Sequence, residues 1–359
     1  MNPRERILAV LNREPVDRMP VDLWHTPEIE SALKAHFKVR DDFAMWRALG
    51  LDKIVWVFME YRADEGENRG SQVGAQAAGS RTMWGVPLKE IRAGEAVYQE
   101  FVEPPLAGCE KPSDLERYPF WPDPERFDYE AADRLARRAA KEFAVIGPWV
   151  SFFEIYCQLR GFERALMDLA VNPAFLEAAL DRIEEIQTGM MRRFFQRSAD
   201  VLDMTFISDD IGGQNGLLLS PQMWRTHLEP RMKRWCELIH SHDLKAFYHS
   251  DGGFEPLINP LIECGIDILN PVQHACPGME MANLKKKFGE RIIFHGGIDN
   301  QSILPFGSVA QVRTEAGRCL ETLGKGGRGY ICCSCHNVQP GTPLENILGL
   351  IEAVKRWRA

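Results

Sequence analysis

Two short apolar runs, each ending in a cluster of polar residues, decide the fold of this chain. The first reads LDMTFISDDIGG at residues 202–213, and the second reads LKAFYHSDGG at residues 244–253. The segment between them begins at Pro221 and is predicted to be helical over residues 222–240, because proline is favoured at the first position of a helix. This succession forms a βαβ unit, which is typical of a parallel sheet buried on both faces.

The same alternation extends along the chain in both directions. Further amphipathic helices are predicted over residues 174–198 and 344–357. The predicted strands are residues 19–24, 52–58, 143–147, 202–207, 244–249, 265–270, 291–295 and 329–333. Repeated strand and helix predict an α/β fold of the (β/α)8 type, a TIM barrel. A doubly wound open sheet is the alternative, but WHTP at residues 24–27 lacks the glycine fingerprint expected after its first strand.

One segment interrupts this alternation after the second predicted strand. Residues 79–105 contain RTMWGVP at 81–87 and VYQEFV at 97–102, which predict an inserted β-hairpin. We expect this hairpin to form a lid or rim over the barrel mouth. Nothing else divides the chain, so residues 1–359 are predicted to form a single barrel domain.

Composition excludes several classes of protein. The chain has 359 residues, of which 45% are hydrophobic, and this is too apolar for a disordered chain. It carries 51 acidic and 43 basic side chains, for a net charge of −8, and its longest basic cluster is three lysines at 285–287. Nucleic acids and anionic membranes bind concentrated positive charge. We therefore expect a small-molecule substrate rather than a nucleic-acid or membrane partner.

The same sequence predicts a cytoplasmic location. No apolar stretch approaches the ~20 residues needed to span a bilayer, and charges interrupt the apolar positions of residues 1–15, unlike a signal peptide. The nine cysteines are scattered and odd in number, which favours reduced thiols over a disulfide framework.

Polar side chains gather just after the predicted strands, where barrels of this type build their active sites. The candidate substrate-binding residues are Trp24, His25, Asp209, Gln214 and Gln273, and the candidate catalytic residues are Asp210 and Glu154. Asp209 and Asp210 are adjacent, so we expect one of them to face the barrel mouth, and an aspartate here also suits a turn cap. A carboxylate at a helix start, as at Glu154, also interacts favourably with the helix dipole.

A second group of residues predicts a metal site. His249 and Asp251 lie two residues apart beyond the fifth predicted strand, and Cys335 and His336 follow the last. Catalytic zinc takes three ligands of these types and keeps a fourth position open. The spacing thus allows His249 and Asp251 to bind zinc together with Cys335 or His336. The alternative is that His249 only hydrogen-bonds to the barrel rim.

Several motifs together resemble the uroporphyrinogen decarboxylase superfamily, over nearly the whole chain and in the same order. They are FISDDIGGQ at 206–214, SP at 220–221, HSDG at 249–252, NPVQ at 270–273, GGID at 296–299 and QPGTPLEN at 339–346. The resemblance implies a (β/α)8 barrel with its pocket at the carboxyl ends of the strands. It also implies either tetrapyrrole decarboxylation or methyl transfer between a corrinoid and a thiol or similar acceptor.

The motifs favour the methyltransferase branch. The decarboxylases have an arginine-rich RQAGR stretch after the first strand, where this chain has WHTPE at 24–28, and an aspartate after the second strand, where it has FME at 58–60. The branch's zinc set, His-x-Cys and a later Cys, corresponds here to His249, Asp251 and His336, with Cys335 adjacent. The resemblance therefore implies zinc, a corrinoid on a separate protein, and a thiol or methyl ether as the small substrate. The alternatives are a lyase acting on a carboxylated tetrapyrrole and a barrel that binds a corrinoid or tetrapyrrole without chemistry.

Overall fold

The strands of the protein form a curled parallel sheet and two short antiparallel pairs. The computed structural model describes residues 1–63, 81–93 and 96–358. Its strands are β1 (Ile54–Trp56), β2 (Leu88–Ala93), β3 (Ala96–Phe101), β4 (Ala144–Val150), β5 (Met204–Ser208), β6 (Gly212–Gly213), β7 (Gly216–Leu217), β8 (Lys245–His249), β9 (Ile268–Asn270), β10 (Ile293–Ile298) and β11 (Tyr330–Ser334). Within the described residues, the parallel sheet has seven strands in the order β1-β4-β5-β8-β9-β10-β11. Because the strand order follows the chain and the pairs are parallel, each connection leads back to the same end of the strands, as in a barrel.

The first predicted strand lies between the two ends of this sheet without forming a continuous ladder. Val21 forms a parallel bridge with Cys332, and its carbonyl accepts from the backbone N–H of Asp52, 2.8 Å away. The segment therefore contacts both β11 and the residues just before β1. Pro20 has no N–H to donate, which helps to explain why only isolated bridges form where the sequence predicted a strand. The sheet thus closes in the manner of the predicted (β/α)8 fold, and the fold prediction is confirmed.

Helices follow the strands and cover the outside of the sheet. They are α1 (Pro3–Leu11), α2 (Pro27–Phe37), α3 (Asp42–Leu49), α4 (Pro112–Leu115), α5 (Tyr129–Ala139), α6 (Phe153–Arg160), α7 (Phe162–Val171), α8 (Pro173–Ser198), α9 (Pro221–His227), α10 (Glu229–His240), α11 (Glu255–Cys264), α12 (Met281–Phe288), α13 (Ile303–Phe306), α14 (Val309–Thr322) and α15 (Leu344–Arg356). The helix predicted over 222–240 is two helices, because Pro230 opens α10 and cannot continue the hydrogen bonding of α9. Among the described residues, no helix is both long and apolar enough to cross a membrane.

The strands β2 and β3 pair antiparallel, from Leu88 opposite Phe101 to Ala93 opposite Ala96. Val97, Tyr98 and Phe101 are largely exposed. The Tyr98 hydroxyl lies 3.3 Å from Oε1 of Gln339, in the loop after β11, so the pair sits over the carboxyl ends of the parallel strands. Residues 79–80 and 94–95 of the predicted insertion lie outside the described residues.

Candidate functional site

A cavity of about 800 Å³ opens at the carboxyl ends of the parallel strands. Leu88, Val97, Tyr98 and Phe101 of the β2–β3 pair line one part of it. Its remaining wall includes the aromatic side chains of Trp24, Trp56, Phe58, Trp84, Trp149 and Phe206. The polar groups that face it include His25, Lys53, Glu154, Ser208, Asp210, His249 and His336. A mostly apolar cavity with a few converging polar groups is the usual form of a small-molecule site.

The predicted metal ligands His249, Asp251 and His336 lie together beside this cavity. Their ligand atoms all lie within 4.8 Å of one another. The Nε2 atom of His249 lies 4.0 Å from Oδ1 of Asp251 and 3.9 Å from Oδ1 of Asp210. Because Zn–N and Zn–O bonds are about 2.0–2.2 Å long, one ion can reach both His249 and Asp251.

The second imidazole of this group is also suited to bind a metal. Neither ring nitrogen of His336 has a hydrogen-bond partner in the part of the chain that the structure describes. Burial and the neighbouring His249 lower the pKa of His336, so the ring is neutral at pH 7 and keeps a lone pair. Two imidazoles and a carboxylate form a donor set that fits zinc with one coordination position open.

Cys335, the other predicted ligand, lies apart from this group. Its side chain is buried, and its thiol donates to the carbonyl of Val272 at 3.4 Å. Burial raises the pKa of this thiol well above its usual value. His336 lines the cavity, whereas Cys335 is not among the lining residues.

Glu154, a predicted catalytic residue, faces the cavity from the first turn of α6. Its carboxyl oxygens lie 2.9 Å from Oγ of Ser208 and 3.3 Å from Nε2 of Gln158. Burial and the charge of Asp210 raise the pKa of Glu154 to about 8. The side chain is therefore protonated at pH 7 and able to donate a proton.

The two adjacent aspartates after β5 have different surroundings. Asp210 lines the cavity and accepts a hydrogen bond from the backbone N–H of Asp251 at 2.7 Å. Asp209 is buried, and one of its oxygens accepts from the Ser151 hydroxyl at 2.8 Å and from the N–H of Phe153 at 2.7 Å. Asp209 thus caps the start of α6, the helix that carries Glu154. It was predicted to bind substrate but does not line the cavity.

Gln214 and Gln273, also predicted to bind substrate, are not among the residues that line the cavity. Oε1 of Gln273 accepts from the N–H of Gly252 at 2.8 Å, and Oε1 of Gln214 lies 3.6 Å from the thiol of Cys276. A Cβ atom on Gly252 would lie 2.5 Å from the backbone nitrogen of Gly213. The loops after β5 and β8 therefore approach each other closely only because glycine occupies this position.

Trp24 and His25, predicted to bind substrate, both line the cavity. The Trp24 ring packs edge-to-face on Trp56, with centroids 5.2 Å apart, and its Nε1 donates to Asp22 at 3.0 Å. Burial lowers the pKa of His25, so this ring adds no positive charge to the cavity at pH 7.

The sequence reasoning gave no role to a buried polar group directly beneath the site. This group contains Asp22, Lys53, Asn270 and His295, and each of these side chains is buried. The available signal was a charged residue inside an apolar run, as in PVDLW at 20–24 and DKIVW at 52–56, since buried charges are costly unless they are paired.

Comparison with known proteins agrees with this architecture. Residues 96–357 match the family model described as uroporphyrinogen decarboxylase (URO-D). A solved structure of a methyltransferase from Methanosarcina mazei superposes with a TM-score of 0.69 at 20% identity, covering 100% of both chains. This likeness establishes the shared fold.

Curated relatives fall into two groups. The methylcobamide:CoM methyltransferase MtaA of Methanosarcina barkeri is 27% identical over 183 residues, covering 51% of this chain and 49% of that protein. The uroporphyrinogen decarboxylase of Pseudomonas fluorescens (strain Pf0-1) is 23% identical over 261 residues, covering 69% of each. The chain thus spans about half the length of the MtaA relative that it matches. Since the family model covers most of the sequence, this chain belongs to the uroporphyrinogen decarboxylase family.

Proposed function

We propose that this protein is a metal-dependent methyltransferase that transfers a methyl group from a small, uncharged methyl ether to a corrinoid carried by a separate protein. The observation that carries the proposal is the placement of His249, Asp251 and His336 beside the cavity that Glu154 also lines. The fold likeness to a methyltransferase and the similarity to MtaA support it.

The proposed reaction needs an electrophilic centre and a proton donor. Zinc held by His249, Asp251 and His336 would supply a Lewis acid for the ether oxygen. The methyl group would pass to a reduced, Co(I) corrinoid as the acceptor substrate, with the carbon–oxygen bond breaking and its electron pair remaining on the oxygen. Protonated Glu154 gives that oxygen its proton, and solvent then reprotonates Glu154. Asp210 beside Glu154 keeps this carboxyl protonated before the reaction.

The charges of the cavity argue for an uncharged substrate. Lys53 is the cationic side chain among the described lining residues, and its Nζ is bound to the Asp22 carboxylate at 2.8 Å. A substrate with several carboxylates would place its charges in this aromatic cavity without partners, which is costly. This favours a methyl ether over a carboxylated tetrapyrrole. A carboxylate and imidazoles are also harder ligands than cysteine thiolates, which favours an oxygen leaving group over a thiol.

The proposal is tested by metal content and methyl transfer in the same preparations. We expect about one equivalent of zinc per chain and methylation of Co(I) cobalamin by a neutral methoxybenzene. His249→Ala and His336→Ala should lose both, whereas the exposed His36→Ala should retain both. Conversion of uroporphyrinogen to coproporphyrinogen would overturn the proposal in favour of a lyase. A protein that binds cobalamin but methylates nothing, with or without added zinc, would indicate a binding barrel.

A further inference from the structure

A chain of buried polar side chains runs from the interior of the barrel to the proposed metal site. Nδ1 of His249 lies 2.5 Å from Oδ1 of Asn270, and Nδ2 of Asn270 lies 2.7 Å from Nδ1 of His295. Nε2 of His295 lies 3.4 Å from Oδ2 of Asp22, and Oδ1 of Asp22 accepts from Lys53 at 2.8 Å. All five side chains are buried.

The direction of each hydrogen bond follows from the Asp22 end. Lys53 keeps Asp22 ionised, so this carboxylate only accepts, and His295 must present an N–H on Nε2. Burial lowers the pKa of His295, so the ring is neutral and its Nδ1 carries a lone pair. That lone pair needs a donor, which is the amide nitrogen of Asn270, and the amide oxygen then faces His249. His249 therefore carries its proton on Nδ1, and its Nε2 lone pair is available on the side of Asp251.

We propose that Asp22, His295 and Asn270 are positioning residues that fix the tautomer and orientation of His249, so that its Nε2 lone pair is ready for a metal before any metal binds. This inference rests on the metal site of the proposed function. A metal-binding histidine commonly donates its other N–H to a fixed acceptor, and loss of such an acceptor costs about 10–100-fold in metal affinity or activity. Here the acceptor is the amide oxygen of Asn270, while the amide nitrogen donates to His295. The hydrogen bond that Asp22 accepts from His295 therefore determines which nitrogen of His249 carries the proton.

Trp24 packs against the inner part of this chain, whereas Lys53 and His249 at its two ends line the cavity. Its ring centroid lies 5.2 Å from that of His295 and 6.0 Å from that of His249, while its Nε1 donates to Oδ2 of Asp22. Hydrogen bonds shielded from water are harder to replace. The tautomer of His249 is thus governed by protein groups rather than by solvent.

The substitution Asp22→Asn is expected to reverse the direction of each hydrogen bond from position 22 to His249. Oδ1 of Asp22 accepts from Lys53 and from the N–H of Leu23 at 2.8 Å, so an NH2 group at that position would face two donors. On the Oδ2 side the NH2 loses the hydrogen bond from Nε1 of Trp24 but gains His295 as an acceptor. The new amide therefore places its NH2 on that side, and His295 moves its proton to Nδ1. Asn270 then turns over and presents its own NH2 to His249.

In that variant, the proton of His249 moves to Nε2 and blocks metal binding, although every proposed ligand is intact. The double variant Asp22→Asn/Asn270→Asp should restore the original state. A carboxylate at position 270 accepts from Nδ1–H of both His295 and His249, so the Nε2 lone pair of His249 is available again. A purely structural role for Asp22 gives no reason for this rescue.

The test measures zinc affinity by chelator competition and the His249 tautomer by 15N NMR of the metal-free protein. We expect the Nδ1–H form in the wild type, a loss of about 10–100-fold in zinc affinity for Asp22→Asn, and recovery to within about threefold in the double variant. The conservative Asn270→Asp alone should retain zinc, and Asn270→Ala should lose affinity as Asp22→Asn does. Thermal unfolding identifies any variant that fails to fold.

Several results would overturn the inference. They are an Nε2–H tautomer of His249 in the wild type, unchanged zinc affinity in a folded Asp22→Asn protein, or a folded double variant no better than Asp22→Asn. If Asp22→Asn does not fold, the wild-type tautomer and Asn270→Ala decide the question. A wild-type protein that binds no zinc but shows the Nδ1–H tautomer contradicts the proposed function and leaves the positioning chain supported.

Discussion

Among the described residues, the barrel contains two groups of metal-ligand type, and they differ in how their lone pairs are used. His249, Asp251 and His336 lie beside the cavity, and Asp22, His295 and Cys333 lie in the interior. In the inner group, Asp22 already accepts hydrogen bonds from Lys53, Leu23, Trp24 and His295. In the outer group, His336 has no such partner among the described residues. Residue type and proximity therefore do not define a metal site, because the lone pairs must also be available.

The carboxyl groups of Asp22 and Glu154 also differ, because their pKa values are shifted in opposite directions. Burial alone would raise the pKa of Asp22, but Lys53 and His295 hold it below its usual range. Glu154 has Asp210 as its charged neighbour, and its pKa rises to about 8. One carboxyl is thus ionised in the interior, and the other is protonated at pH 7 and lines the cavity. Desolvation raises the pKa of both groups, so the difference arises from their neighbouring charges.

The largest expected effect is on stability. It comes from removing Lys53, the cation that pairs with Asp22 of the inner group. Lys53→Met leaves Asp22 buried without its cation, and we expect a loss of about 3–5 kcal/mol in the free energy of unfolding. The matched control is Lys287→Met, which breaks an exposed pair with Glu255 and should cost less than about 1 kcal/mol. Urea denaturation measures both. Equal small losses would show that the inner group is not a structural ion pair.

The next effect concerns the outer group. Here we expect a large change in zinc affinity and a small change in stability. His336→Ala removes a proposed metal ligand that makes no hydrogen bond to the described residues. Zinc affinity should fall by more than the roughly 100-fold typical of losing a residue that only hydrogen-bonds to a metal ligand. The stability of the metal-free protein should change by less than about 1 kcal/mol. Chelator competition and urea denaturation measure the two quantities. Cys333→Ser in the inner group should leave zinc stoichiometry unchanged. Loss of zinc from this variant would show that the inner group, and not the outer one, holds the metal.

A smaller effect distinguishes the two carboxyl groups by pH. The folded-state pKa of Glu154, about 8, lies above its ordinary value of 4.5. Its contribution to stability is therefore complete below about pH 4.5 and is lost as pH rises through about 8. Glu154→Gln lacks this titration, so its stability relative to the wild type should rise by a few kcal/mol between pH 5 and pH 9. Urea denaturation at pH 5 and pH 9 measures the difference, and a constant difference would contradict the raised pKa.

Activity should follow the same proton. Methyl transfer by the wild type is expected to decline above about pH 8, and Glu154→Gln should be slower by about 100-fold at pH 7, as for loss of a general acid. Gln158→Ala removes only a hydrogen bond to Glu154 and serves as the control. A Glu154→Gln protein with the wild-type rate would exclude this residue as the proton donor.

The barrel was predictable because its strands are short apolar runs with helices between them, a pattern that local sequence records. The details that failed depend on individual residues: Pro230 divides one predicted helix, and residues 19–24 make isolated bridges instead of a ladder. The grouping of His249 with His336 followed from the position of site residues after barrel strands.

The roles of neighbouring residues were less predictable. Asp209 and Asp210 have the same chemistry, and the capping role of Asp209 depends on backbone N–H groups at residues 152–154, more than 50 residues earlier. The chain from Asp22 to His249 joins four strand ends, or segments beside them, that no sequence window contains. Its trace in the sequence was a charge inside an apolar segment, which indicates a buried partner without identifying it.

The smallest expected effect concerns Cys335, the residue next to His336. The sequence allowed either residue to complete the metal site, and zinc would bind a cysteine thiolate strongly. The thiol of Cys335, however, donates to the carbonyl of Val272, and burial keeps it protonated. Cys335→Ser retains a donor for that carbonyl, so zinc affinity should change by less than about threefold, against more than about 100-fold for His336→Ala. Chelator competition with both variants measures the ratio. A similar loss in the two would mean that the segment after β11 rearranges when metal binds, and that the lone pairs of the metal-free protein do not select the ligands.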